Sequence, residues 1–240
     1  MSFVGSETSG LEASPSSASA AATTTSGFTE SSIAKEPITR RKPDKCLACL
    51  EMRAVLVFTV VYTIVLLTYG LSVGSPLTLL YTGINIGLFA LFGILHIWAR
   101  WPVHALWAVA LVGLGNMLGG VLLVDGDALY MAQVLGPIRY DKVFHTLAGA
   151  GMVMVAWEAM KRWSGGVYHL GGQMLLTWLV VMGGGAVVEI AELIGSTMSG
   201  VNVGDYANNA LDLVANGVGA TVGVAAAWWF EARGRSSEDP

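Results

Sequence analysis

The chain has 240 residues, of which 54% are hydrophobic and 12% charged, with a net charge of −4. About a quarter of the residues of an average soluble domain are charged, so this composition excludes a water-soluble globule and points to a polytopic membrane protein. Its basic residues are spread along the chain and not gathered on one face, which argues against a nucleic-acid-binding protein.

Residues 1–45, with the run SSASAAATTTSG, carry no apolar periodicity and could not bury enough surface to offset the entropy of ordering them. They are expected to form a disordered cytoplasmic tail. The segment has no apolar h-region or small-residue cleavage site, so the first membrane helix is expected to act as an uncleaved signal-anchor. Cys46 and Cys49, in CLAC, supply only two of the usual four zinc ligands and are read as silent or lipid-modified.

A helix that crosses a bilayer needs about 20 mainly apolar residues. Six runs qualify, at 54–73, 77–98, 103–123, 143–160, 173–195 and 209–230. The fold class expected is therefore all-α: a six-helix transmembrane bundle over residues 46–232, with a cytoplasmic C-terminal tail at 233–240. A count of five, with one of the last three runs re-entrant, is the alternative. If the N-terminus is cytoplasmic, Lys35, Arg40, Arg41, Lys42, Lys45, Arg53, Arg100, Lys161, Arg162, Arg233 and Arg235 fall inside, and only Arg139 and Lys142 fall outside. This bias places both termini in the cytoplasm of a cell with the chain in its inner membrane. Trp98, Trp101, Trp163, Trp228 and Trp229 then form an aromatic belt at the inner helix ends. His96, His104 and His169 are read as interfacial, and Glu158 as the partner of Lys161 or Arg162 one turn on.

A charge at mid-membrane costs about 2.5 to 3.5 kcal/mol, so such residues usually face a bundle interior or a wet cavity. Here they gather at one side of the membrane. Asp141 and Lys142 open the fourth run with His145 a turn deeper, Glu189 and Glu192 close the fifth, Asp212 opens the sixth, and Asp205 precedes it. Asp141 and His145 are four apart, Glu189 and Glu192 three apart, and Asp212 and Asn216 four apart, so each pair shares a helix face. Those faces continue through small residues, with Gly219 and Gly223 a GxxxG step that lets backbones approach closely. An outward-facing pocket is expected, lined by Asp141, His145, Glu189, Glu192, Asp212 and Asn216, with Lys142, Arg139 and Asp205 at its rim. It looks blind on the cytoplasmic side.

Five acids against two fixed bases would repel one another, so either some are protonated or a cation is held among them. Carboxylates, an imidazole and an amide suit a divalent ion such as Mg, Mn or Zn, with Asp141, His145, Glu189, Glu192 and Asp212 as its ligands. The same groups could instead only hydrogen-bond and set helix register, Glu189 pairing with Lys142 or Arg139. Asn116, beside Gly115, Gly119 and Gly120, is read as interhelical glue or a fourth wall of the pocket.

The segments YDKVFHTLAG, EIAEL and DLVANGVGATVG, spread over about residues 110–230, resemble the VanZ-like family and the YjdF-like inner-membrane proteins. In those families Asp-Lys or Asp-Arg, then His, starts one helix, glutamate ends the next, and Asp with Asn or Gly starts the last. The resemblance implies a small multi-pass protein of the cell envelope and points to Asp141, Lys142, His145, Glu189, Glu192, Asp212 and Asn216. The loop STMSGVNVGDYANNA lacks the Arg common in VanZ-like chains, which moves the likeness toward the YjdF-like side.

Three kinds of function remain. In an enzyme, a metal-assisted hydrolase or transferase would act on a lipid-linked phosphate, with His145, Asp141, Glu189 and Glu192 catalytic and Lys142, Arg139 and Asn216 binding the substrate. In a non-enzymatic protein the carboxylates would bind or pass a cation, a proton or a small ligand. A scaffold or antibiotic-susceptibility factor would need none of the acids.

Overall fold

Every hydrophobic run folds as a helix because lipid offers no partner to a backbone N–H or C=O. The structure, a computed structural model, describes residues 45–165, 169–199 and 206–236, with side chains over 50–165, 169–194 and 206–233. The described residues belong to one unit, Lys42–Pro240. Its helices are α1 (Lys45–Val73), α2 (Thr78–Ala99), α3 (Val103–Val121), α4 (Tyr140–Trp163), α5 (Leu170–Ser199) and α6 (Tyr206–Ser236). All six are long and apolar enough to cross a membrane, so the chain is a multi-pass membrane protein and the re-entrant alternative falls. Its outward faces carry the matching signature, with Leu56, Val57, Ile97, Val187 and Val222 all exposed. In water such a surface would aggregate; in a bilayer it meets acyl chains.

The helices outrun the hydropathy windows. α4 begins at Tyr140 and ends at Trp163, α5 spans Leu170–Ser199, and α6 runs from Tyr206 to Ser236. Hydropathy marks the part that sits in hydrocarbon, whereas the backbone hydrogen bonds continue through polar end turns. Between α3 and α4 lie two small antiparallel hairpins: β1 (Leu123–Val124) with β2 (Asp127–Ala128), and β3 (Gln133–Leu135) with β4 (Ile138–Arg139). A short 3-10 turn, Leu129–Met131, joins them. The first hairpin turns on Asp125 (φ 53°) and Gly126 (φ 94°). An Asp-Gly pair suits that left-handed turn, and VDGD is a hairpin signal that hydropathy passes over.

The centre of the bundle is the crossing of α4 and α6. Gly149 faces the backbone of Asn216, and Gly219 lies directly on the Thr146 carbonyl. On the side of this pair lie Val153, Ala156 and Val181 of α4 and α5 with Ala220 and Val224 of α6; Ala105, Val109, Val155 and Ala159 fill the α3–α4 contact. Tyr62, Leu66, Tyr81, Met117 and Val121 join α1, α2 and α3.

At the end of the bundle where α4 finishes, two side-chain expectations are corrected. Glu158 reaches across to His104 (3.6 Å), because Lys161 is drawn to Glu231 (2.9 Å) and Arg162 donates to the Arg100 carbonyl (3.4 Å). Trp101 is not part of an exposed belt: the left-handed turn at Arg100 (φ 44°) folds it inward against Phe92 and His96, where it is buried. Trp98, Trp163, Trp228 and Trp229 are exposed as a belt requires.

Candidate functional site

Asp141, Lys142 and His145 occupy the first two turns of α4, where the chain leaves the second hairpin with Arg139 in extended backbone. Asp212 and Asn216 lie on the α6 face that crosses α4, and Glu189 comes from α5. Small residues set these distances: a Cβ at Gly149 would stand 2.6 Å from the Asn216 carbonyl, and one at Gly185 would stand 2.8 Å from Asn216 Nδ2. The close approach of the three helices thus presses their polar faces together one turn above the seam.

The result is a charged knot that water barely reaches. Asp212, Glu189, His145 and Asn216 are all buried, with Asp212 only 1% exposed. The Lys142 ammonium donates to Asp212 Oδ1 (2.5 Å), Asn208 Oδ1 (2.8 Å), Asp141 Oδ2 (2.9 Å) and the Asn208 carbonyl (3.3 Å). Asn208 in turn donates from Nδ2 to Asp212 Oδ2 (2.8 Å). His145 stands beside this group with Nε2 3.4 Å from Asp141 Oδ1 and 3.7 Å from Asp212 Oδ1. Its other nitrogen, Nδ1, lies 3.6 Å from Glu189 Oε1, and neither oxygen of Glu189 has a hydrogen-bond partner among the described residues.

Asp141, His145 and Asp212 each turn one ligand atom to a common point, all within 4.8 Å of one another. A tetrahedral ion with bonds of about 2.0–2.1 Å keeps its ligand atoms about 3.3–3.4 Å apart, close to the separations from Nε2. The residues therefore fit a divalent ion, with one obstacle: the Lys142 ammonium bonds the same Asp212 oxygen. Ion and ammonium are alternatives for that oxygen.

Over the knot lies a cavity of about 230 Å³, walled by Asp141, Glu192, Asn208, Tyr81, Tyr130 and Asp127. Its roof is aromatic. Tyr130 packs against Tyr81, Tyr140 and Phe144 at ring separations of 5.4–5.8 Å, and Phe144 meets His145 edge-on at 5.7 Å. The Tyr130 hydroxyl donates to Asn116 Oδ1 (2.7 Å), and that of Tyr140 to the Gly115 carbonyl (2.9 Å). Burial pushes the Tyr130 hydroxyl well above its usual range, aided by nearby Tyr81, Glu192 and Asp141, so it stays a donor. The ring lies so close to α3 that a Cβ at Gly119 would stand 2.6 Å from Tyr130 Cζ. Asn116 is thus glue, tying α3 to the hairpin segment and not to another helix.

A family described as predicted membrane protein (DUF2238) matches residues 54–233 of the chain. That is three quarters of its length, from the first turns of α1 to the last of α6. The chain belongs to the DUF2238 family. No curated protein and no solved structure matches it.

Every residue of the knot and the cavity in this DUF2238 protein falls within the matched region. The structure brings Asp141, Lys142, His145, Glu189, Asp212 and Asn216 together, and Glu192 joins them across the cavity. Lys142 lies deeper than a rim position, because the first two turns of α6 supply Asn208 and Asp212 to hold its ammonium. The expected partnership of Glu189 with Lys142 or Arg139 is replaced by the one with His145. Arg139 does not join: it precedes the helix in extended backbone, is exposed, and its guanidinium contacts Met131 Sδ at 3.9 Å. Asp205 and the side chains of Cys46 and Cys49 lie outside the described residues.

Three members escaped the sequence reading. Asn208 sits one turn before Asp212 and two before Asn216, so continuing the same i, i+4 face backwards would have found it. Tyr81 and Tyr130 carry no such mark. They reach the site because glycines on α3 admit their rings, a relation between distant segments. Tyr130→Phe removes the roof's bond to Asn116 and should weaken it by about 1 kcal/mol. Faster amide exchange over 123–139 in the DUF2238 variant, with the helices unchanged, is the expected reading; unchanged exchange would show that the rings alone hold the roof.

Proposed function

We propose that this protein is a divalent-cation-dependent hydrolase or transferase of the inner membrane, acting on a lipid-linked phosphate at the outer membrane face. The posture of His145 carries the reading. Its Nε2 faces two aspartates at near-ligand spacing while its Nδ1 faces, at 3.6 Å, a buried glutamate that has no hydrogen-bond partner among the described residues. A metal-bound histidine characteristically gives its second nitrogen to a carboxylate, which sets tautomer and ring orientation.

On this reading Asp141, His145 and Asp212 hold the ion, and Glu189 accepts from Nδ1–H. A bound ion would offset phosphate charge and make water acidic enough to attack. Lys142, released from Asp212, would donate to the phosphate oxygens. Glu192, across the cavity, would take the proton of the attacking water and return it to the lipid oxygen that leaves as its bond to phosphorus breaks. The cavity is large enough for a phosphate group, and the likeness to VanZ-like and YjdF-like proteins agrees with work on the cell envelope. The eleven-to-two distribution of basic residues supports the orientation, with the start of α1 and the end of α6 on the cytoplasmic side.

Elemental analysis of purified protein is the direct test. A divalent ion should stay with the wild type through gel filtration and be absent from His145→Ala and Asp212→Asn. Glu189→Gln should keep the ion but bind it roughly 10- to 100-fold more weakly. Wild-type protein that takes up no Mg, Mn or Zn at millimolar supply overturns the reading.

One observation favours a second function. The Lys142 ammonium already bridges Asp141 and Asp212, so the site accommodates a cation of single charge. A carrier of protons or monovalent cations would show ion counterflow in vesicles that His145→Ala abolishes, with no phosphate released from any lipid.

A further inference from the structure

α1 and α2 are joined by a tight turn and spread apart from it. Near the turn they touch closely: a Cβ at Gly70 would run into the Thr78 side chain. Midway they are tied by polar bonds, Tyr62 to Asn85 Oδ1 (3.2 Å) and Asn85 Nδ2 to Thr63 Oγ1 (2.9 Å). Beyond the tie the helices part, leaving a groove of about 760 Å³ floored by Leu106 and Val109 of α3.

The dimensions of the groove match one leaflet. It follows α1 from Met52 to Ile64 and α2 from Asn85 to His96. Twelve residues of helix measure about 18 Å, a little over half of the hydrocarbon thickness of about 30 Å. The volume lies within the range of about 300–1,000 Å³ usual for ligand sites. Its walls are mostly hydrocarbon, but Arg53 and His96 both lie at its far end, where α1 begins and α2 finishes. Arg53 is exposed and has no hydrogen bond or ion pair among the described residues. His96 Nδ1 and, deeper in the groove, Thr59 Oγ1 are buried atoms without a hydrogen-bond partner. Glu51, the nearest acid in the chain, does not line the groove.

We propose that this groove is a binding site for an anionic phospholipid of the leaflet surrounding the start of α1, its phosphate on Arg53 and an acyl chain between α1 and α2. The fixed charge at the mouth, the buried atoms awaiting an acceptor or donor, and the one-leaflet length together select such a lipid over a protein segment. The site lies at the opposite end of the bundle from the acid–histidine knot, so it stands or falls independently of the proposed catalytic function.

The test is native mass spectrometry of the full chain released from vesicles of equal parts phosphatidylcholine and phosphatidylglycerol. The wild type should retain phosphatidylglycerol about fivefold over phosphatidylcholine, the effect of about 1 kcal/mol for one basic residue at an anionic surface. Arg53→Gln, at an exposed position that leaves folding intact, should lose the preference but keep a bound lipid. Gly93→Phe should lose both, since a side chain there projects into open space within the groove; Gly87→Phe, on α2 but outside the groove, should lose neither. Equal retention of the two lipids by the wild type, or unchanged lipid on Gly93→Phe, overturns the proposal. So does a wild-type dimer that Gly93→Phe converts to monomer, which would assign the groove to a second copy of the chain.

Discussion

Lys142→Met should lose about 3–5 kcal/mol of stability toward denaturant in mixed micelles, the range found when one partner of a buried ion pair is removed. The Lys142 side chain is 18% exposed, and the two carboxylates it bridges are 13% and 1% exposed, so water cannot replace it. Asp141 and Asp212 would be left facing each other across the vacated ammonium. Adding Asp212→Asn to the variant should restore most of the loss, because the repulsion and one buried charge go together. A divalent ion supplied to the single variant should also restore it if the site binds metal, since the ion would take the place of the ammonium. If Lys142→Met is as stable as the wild type in the presence of chelator, the ammonium does not hold the helix ends together.

Gly219→Leu should be the other severe change. An added Cβ would overlap the Thr146 carbonyl and stand 3.0 Å from the Ala150 nitrogen, and backbone atoms cannot rotate away as a side chain would. Overpacking of this kind costs about 1–3 kcal/mol or more. Since Thr146 follows His145, prying α6 from α4 should also withdraw Asp212 from the imidazole and abolish any metal uptake. Gly183→Leu is the control: nothing lies within 4 Å of a Cβ there. Equal melting temperatures for the two variants would contradict the close crossing.

Much of the candidate site was legible because a membrane makes ionisable side chains conspicuous. His145 stands out in an apolar run, and the four-residue steps from Asp141 and to Asn216 mark faces before any fold is known. The GxxxG step from Gly219 likewise announces a close partner, which α4 supplies. What could not be read was the pairing within the cluster. Lys142 could have served Glu189, a phosphate or solvent; Asn208 and Asp212 claim it because α6 crosses α4 at that height. Arg139 shares Lys142's sign and stands three residues away, yet the bend into the helix sends it outward. The roof was hidden for another reason: strands of two or three residues have no usable period, and the Tyr130 bond to Asn116 spans fourteen residues.

Hydropathy and charge are enough to dictate six membrane-spanning helices and the end of the bundle where the costly residues gather, because burial of the backbone in lipid forces helix and each charge must escape hydrocarbon. Which charge meets which depends on how the helices pack. Helix height and rotation are set by contacts between glycines and backbones far apart in the chain, and a turn of a few tens of degrees about α6 would exchange one partner for another without changing a single hydropathy value.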